Sequence, residues 1–599
     1  MASRHLGPRL AAHSTNRHLA PRLAALDAHS TNRAVVGLVT LALLAAGCSA
    51  VPSGGKAVRV RSIAAGVADA DPEVRQQPRT ASPGDTPERV VRGFLAAGKS
   101  APDRHAIART YLAPIAAASW TDLAPVRIVN ITSQRVIPGP TATRVVITGR
   151  YQARLDADLA YLPDDRPLSV TLVLGRFDGQ WRITDPPPGV LLPVADFQQV
   201  YKPLDLYFLN PGGDTVIPDR RYFDVKQAVL PTEMATRLLA GPSTWLKPGV
   251  RTAFPPGTRL RSNVIRDGDV FVVDLSVEVL AATRSQQSAL AAQLVWTLAK
   301  QFSVDGVRVL ADGRPLRVQG ASGVVARDAY TSYDPRVLTS LVSGYYLAGG
   351  VLHTIDQPGA GNPAAPPLAG LRSAAVSSDL TWVAAVRPRV GGQEMIIGSV
   401  GGALTPRLGA RSISRPSWEP SADGVMVVVD GRSLMRVGAD GETMAVTEPA
   451  LTAVGPLSGL ALSRDGVRVA LLAGLAGHRR LWLAVVERTG TRITLTGLRQ
   501  VTPSLTDVAD VAWADEGHLL VLARRGGAAM APYGVDVDGA TVTDRPTDGL
   551  PEPLQRVAAA PGEPDLVEAA GRIWRRQGSL WGPLDGNAGV PGNDPFYPG

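Results

Sequence analysis

A chain of 599 residues exceeds what one hydrophobic core can organise, so three or four domains are expected. A hydrophobic share of 45% against 19% charged residues excludes a disordered chain, and one cysteine excludes any intramolecular disulfide. Residues 1–47 hold a net +4 of the formal +9, and no block of five or more Lys/Arg occurs, which argues against a nucleic-acid footprint.

The first readable element is Ala34–Gly47, AVVGLVTLALLAAG, uncharged and directly preceded by Arg33. It is too short for a comfortable membrane span and fits the apolar core of a secretory signal. Next come the sole thiol, Cys48, and the Ser/Gly/Pro-rich SAVPSGG. The residues before the thiol, Leu44-Ala45-Ala46-Gly47, resemble the bacterial lipobox, in which diacylglycerol is joined to the cysteine sulfur before the chain is cut ahead of it. Cys48 is therefore the expected lipidation site, although Ala45 stands where a larger aliphatic residue is favoured. Upstream, PRLAAHSTNR (8–17) returns as PRLAALDAHSTNR (21–33) with no apolar period, reading as a lengthened leader or as sequence ahead of a later start. Residues 1–47 thus read as signal peptide and 48–84 as a tether.

Thr86-Pro87 reads as an N-cap followed by proline in the first helical turn, with Val90, Val91, Phe94 and Leu95 on one face. Strand-like runs follow at 126–137, 143–155 and 169–184, the last turning at Asp178-Gly179. Helices first and a curved antiparallel sheet after predict a small α+β, NTF2-like domain over 85–200. The segment 201–318 predicts a second α+β domain. It contains a strand at 207–210, a helix through Met234 and Leu238, a hairpin turning at Asp267-Gly268, an amphipathic helix through Leu290, Leu294 and Leu298, and a hairpin turning at Asp312-Gly313.

Beyond 318 no strong helical pattern appears, and a loose repeat does. Val376, Trp418, Leu462, Trp513 and Ala559 mark one phase of five similar segments, each a small or apolar start, a polar turn and an alternating strand. Their spacing of 42 to 51 residues matches four-stranded propeller blades, and GYYLAGGVLHTI (344–355) can complete a closing blade. The expected fold class is thus multidomain: two small α+β domains followed by an all-β propeller of five or six blades over 319–599. A β-sandwich is the competing reading, without such a period.

Chemistry-bearing motifs are sparse. Gly93–Ser100 satisfies the phosphate-loop pattern by letter, yet the residues before it read as helix rather than the buried strand that loop requires. His105, His353, His478 and His518 are widely separated and offer no metal-ligand spacing, and Asp156, Asp158, Asp164 and Asp165 lack the calcium-loop glycine and glutamate, which reads as a solvated hairpin loop. No GxSxG elbow occurs, and Trp418 and Trp513, at one repeat phase, read as core. Catalytic, metal and cofactor-binding residues are accordingly expected to be none.

The pieces LLAAGC (43–48), PGDTPERVVRGFLAA (83–97), DGQWRI (178–183) and the middle segment from Leu206 to Leu298 together resemble the actinobacterial lipoprotein LpqB family, the middle segment resembling the GerMN domain of spore-germination proteins. The resemblance implies a non-enzymatic, lipid-anchored protein on the extracytoplasmic face of the cell membrane. It also implies association with the sensor kinase MtrB and modulation of signalling to the response regulator MtrA in envelope homeostasis and division. Only the lipid-bearing cysteine carries over, onto Cys48. A cell-wall glycan or peptide binder, acting through the GerMN-like domain or the propeller channel, with peptidoglycan as partner, is the alternative expectation. A wall hydrolase is a third.

Overall fold

The computed structural model describes residues 78–99, 102–122, 125–224, 229–318, 323–334, 336, 343–356, 370–584 and 590–599. Cys48, the expected signal and most of the expected tether lie outside these residues.

The first module begins with α1 (Pro87–Ala97), where the Thr86 hydroxyl accepts the Arg89 N–H at 3.4 Å and Pro87 occupies the first turn. Val90, Val91, Phe94 and Leu95 are buried, the face given by their spacing. Short helices α2 (Pro102–Arg109) and α3 (Pro114–Ser119) follow. Strands β1 (Arg127–Ile137), β2 (Thr143–Leu155), β3 (Tyr161–Pro163), β4 (Pro167–Phe177), β5 (Gln180–Asp185) and β6 (Leu191–Pro193) make one sheet in the order β5-β4-β2-β1-β6, with β3 at the end of β2. The β4–β5 hairpin turns through Asp178 and Gly179, both at positive φ, the conformation a two-residue hairpin demands. Helix α4 (Val194–Val200) leads out. Of the phosphate-loop letters, Gly93–Ala97 lie in α1 and Gly98-Lys99 in the turn after it, while Ser100 lies outside the described residues; Tyr111 packs where a Cβ on Gly93 would lie, 2.4 Å away.

The second module opens with a hairpin, β7 (Lys202–Leu209) and β8 (Val216–Phe223), followed by α5 (Leu230–Ala240). A further sheet runs β12-β11-β10-β9, built from β9 (Ile265–Asp267), β10 (Val270–Leu275), β11 (Gly306–Ala311) and β12 (Arg314–Pro315). The β9–β10 turn is a residue later than its sequence suggests: Asp267 pairs with Val270, leaving Gly268 and Asp269 as the central pair, with Gly268 at φ 63. Helix α6 (Arg284–Leu294) starts with a capping box between Thr283 and Gln286 and continues through a π-helical stretch, Val295–Ala299. That helix carries three polar side chains four residues apart, and they satisfy the edge of β7. Thr297 accepts the Tyr207 N–H at 3.0 Å, Gln293 donates to the Tyr207 carbonyl at 2.8 Å, and Gln301 accepts the Asp205 N–H at 3.0 Å. A helix face thus stands in for a neighbouring strand, which explains why Gln293 and Thr297 are fully buried.

From residue 345 onward the described residues form six sheets around a ring: a propeller of six blades. Five blades hold four strands in chain order, starting at Ser373–Val376, Ser417–Trp418, Leu457–Leu462, Leu505–Trp513 and Leu554–Ala558, the last with Val590–Pro591 added beside its third strand. The sixth joins Tyr345–Ala348 and Val351–Thr354 to the last strand, Asn593–Phe596, so the two ends of the segment close the ring. The repeat phase is the inner strand: Val376, Trp418, Leu462 and Trp513 each end one. Trp418 and Trp513 are core, and each indole N–H donates at 3.0 Å to the inner strand of the preceding blade, at Ala375 and Ala461. Other junctions use backbone donors: Leu462 to the Ser417 hydroxyl, Val557 to Asp510 and Ala374 to Asp594. Recurrence of tryptophan at one phase therefore reflects blade-to-blade packing.

Candidate interaction site

All three modules belong to one compact unit, Ala70–Gly599. Their junction is assembled from β8, the loop between β2 and β3, and the third and fourth blades. Strand β8 places charged residues inside: Arg221 is 1% exposed and donates to Asp219 at 2.6 Å, while Asp219 also accepts the Ser243 N–H and hydroxyl at 2.7 and 2.9 Å. A buried pair needs compensating hydrogen bonds, and here Ser243 supplies two from within the module while the guanidinium finds another across its boundary. Arg221 donates to the Asp158 carbonyl in the first module. Asp158 in turn accepts the Thr244 N–H and hydroxyl at 2.9 and 2.8 Å. The DADLAYLPDD loop is therefore a docking element at its Asp156–Tyr161 end rather than a solvated hairpin. Burial pushes the Asp156 carboxyl above its ordinary range, and the Thr244 donors help hold Asp158 below it despite the opposing effect of burial.

Toward the propeller, Tyr222 donates to Asp538 at 2.8 Å, and Arg220 bridges Asp205 at 3.1 Å and Asp536 at 3.4 Å. Trp245 donates its indole N–H to the Gly497 carbonyl at 2.7 Å while its ring lies 3.6 Å beneath the Arg499 guanidinium. Burial lowers Arg499 to about 10. An apolar seam of Ile217, Leu246, Val467 and Val485 backs these bonds. Gly249 fits this seam because it lacks a Cβ, which would lie 2.6 Å from Val485. Ion pairs, hydrogen bonds and apolar packing act at one place, so the modules are held in one arrangement.

Two further titratable groups near the junction, His518 and Glu516, stand among carboxylates. His518 holds Asp515 at 2.7 Å through Nδ1 and faces Asp536 at 3.5 Å through Nε2, so both ring nitrogens meet carboxylates. Burial, with Asp465 and Asp515 nearby, pushes Glu516 up to about 7. Among the described residues no cluster of three or more His, Cys, Asp or Glu could hold a metal ion, and no helix is long and apolar enough to cross a membrane. Of the histidines named from sequence, His105 binds Asp122 at 3.2 Å inside the first module, and His353 stacks on Tyr346 in the sixth blade.

Two spaces remain. The propeller axis is largely filled by its own residues: Arg464, Phe596, Tyr597 and Gly599 line about 70 Å³ of residual space. One end of the axis carries a buried ion network in which Arg415 meets Asp594 at 2.6 Å and Asp510 at 3.5 Å. A larger cleft of about 880 Å³ opens between the sheet of the first module and the fourth blade, with Tyr161, Phe197, Tyr201 and Tyr222 on one wall and Thr502–Ser504 on another.

Comparison with known proteins resolves the lineage. A model of the LpqB N-terminal domain matches residues 80–198, a sporulation and spore-germination domain matches 205–317, and the LpqB β-propeller domain matches 353–598. Lipoprotein LpqB of Mycobacterium paratuberculosis is 30% identical over 610 residues, covering 95% of this chain and 100% of the relative. The chain belongs to the LpqB lipoprotein family. The LpqB of Thermobifida fusca is 27% identical, covering 94% of this chain and 99% of its own length. Among solved structures, TolB from Acinetobacter baumannii aligns over 43% of this chain and 66% of its own, with 12% identity and a TM-score of 0.33. Membership covers all three modules of this LpqB-family chain. The junction residues escape sequence reading because β8 contains Pro218 and the charged run Asp219-Arg220-Arg221, which breaks the alternation that marks a strand.

Proposed function

We propose that this protein is a lipid-anchored accessory protein on the extracytoplasmic face of the cell membrane, which associates with the sensor kinase MtrB and modulates MtrA/MtrB signalling in envelope homeostasis and division. The observation that carries this reading is end-to-end similarity to relatives named lipoprotein LpqB, combined with a sole cysteine placed after Leu44-Ala45-Ala46-Gly47. In this reading residues 1–47 are a signal removed on maturation, 48–84 a tether from acylated Cys48, and 85–200, 201–318 and 319–599 the working modules. Anchoring confines the protein to the membrane that holds the kinase, which raises the effective concentration of each partner for the other, so that modest contacts suffice. A body locked at its junction presents a preorganised surface, which lowers the ordering cost of docking.

Photocrosslinking in cells tests the association. Val277 and Leu280, which follow β10 in the middle module, are exposed apolar residues at 57% and 55% and suit the crosslinker. Capture of the kinase from these positions, together with altered regulator phosphorylation in the Cys48→Ala strain, is the expected result. Capture of no kinase from either position, with phosphorylation unchanged, contradicts it.

A further inference from the structure

The cleft of about 880 Å³ between the first module and the fourth blade is built by two modules at once. They meet closely beside it: a Cβ on Gly539 would lie 3.1 Å from Pro163, and Ala540 packs against the first module's core. The two walls are therefore held at a set distance. The volume lies within the range of about 300–1,000 Å³ found for small-molecule sites, which favour boundaries between domains.

The lining restricts what can bind. Each of its four charged side chains already has a partner: Arg150 meets Asp165 at 2.7 Å, Asp164 meets Arg166 at 2.6 Å, and Arg525 meets Asp544 at 3.4 Å. The hydrogen-bonding side chains left over are neutral and stand on both walls. Asn130 and Gln198 belong to the first module, Ser504 and Thr541 to the blade, and all four are exposed and without a partner among the described residues. Apolar surface lies between them, including Tyr201, whose half-buried ring is stacked on Phe197 at 5.0 Å and so is fixed in place. Strand β1 offers the cleft no free backbone at Ile128 and Val129, because β2 flanks it there on one side and β6 on the other.

We infer that this cleft binds a neutral oligosaccharide. A sugar ring carries hydroxyls around its rim and C–H groups on its faces, so its rim engages amides and hydroxyls on two walls while one face packs on a fixed aromatic ring. A phosphorylated or acidic ligand would find no unpaired cation. An extended peptide would find no open strand edge where β1 lines the cleft. Sugar held by both walls would also tie the first module to the propeller, a binding role separate from the signalling role proposed above.

The test uses a chain starting at Ser49, which retains every described core, since these run from Val90 to Tyr597. Titration calorimetry is run with chitotetraose, cellotetraose and maltotetraose, and with tetraalanine and tetraglutamate for comparison. Saturable binding of at least one tetrasaccharide and of neither peptide is expected, with a melting temperature that rises as that sugar is added. The N130A/Q198A variant, which removes two donors from one wall, and Ser504→Trp, which fills the cleft from the other, are each expected to lose about tenfold or more in affinity with an unchanged melting profile in the absence of sugar. Binding of no tetrasaccharide, or either variant binding as the parent does, overturns the inference. So does binding of a peptide as tightly as of the sugars, which assigns the cleft to a polypeptide. No kinase is present in this assay, so its outcome is independent of the proposed association.

Discussion

Tyr222, in the middle module, gives its phenolic hydrogen to Asp538 of the propeller across 2.8 Å, and both side chains are buried. The carboxylate's other oxygen accepts the Ala540 N–H at 2.9 Å, so the acid is fully used. Tyr222→Phe removes the donor without changing the ring, leaving a buried acceptor short of a partner at a cost of about 1–3 kcal/mol. The expected result is a lower melting temperature with faster proteolysis at the junction and an unchanged far-ultraviolet spectrum. Unchanged proteolysis would mean that the modules are held elsewhere.

Asp594 fastens the strand that closes the propeller. Its carboxylate meets Arg415 at 2.6 Å and accepts the Ala374 N–H at 3.2 Å, and its own N–H donates to Glu568 at 2.9 Å. Asp594→Ala removes the nearer carboxylate of the half-buried Arg415 and leaves it Asp510 at 3.5 Å, a loss of about 1.5–3 kcal/mol. Hydrogen exchange is expected to accelerate first in Asn593–Phe596 and its partner Tyr345–Ala348. Exchange that rises equally in all blades would show that closure is not local.

Glu516 gives a pH signature. Burial raises it from an ordinary 4.5 to about 7, so the folded protein holds this proton more tightly than the unfolded chain. Its contribution to stability is complete below about pH 4.5 and is lost as pH rises through about 7. His518, raised by its bond to Asp515, has the same sign. The melting temperature of Glu516→Gln is therefore expected to fall less than that of the parent between pH 6 and pH 8. Parallel curves would exclude Glu516 as a source of the dependence.

How much of this was legible in the sequence varies with the physics involved. The propeller repeat was legible because each inner strand ends at or just before an apolar residue packed toward the preceding blade, a local requirement repeated five times from Val376 to Ala559. The cap at Thr86 and the turn at Asp178-Gly179 are equally local. What escaped was long-range: β8 hides behind its buried charges, and Asp158 looks like a loop acid until Thr244, 86 residues away, is seen to bind it. Gln293 and Thr297 mark the same limit, since polar residues on a buried helix face make sense only once β7 is placed beside them.

The central claim is that one sulfur fixes this body to the membrane. Mass spectrometry of the protein isolated from cells tests it most directly. The account predicts a mature chain that begins at Cys48 and carries diacylglycerol on the thiol. An unmodified Cys48 still joined to Gly47 would contradict it.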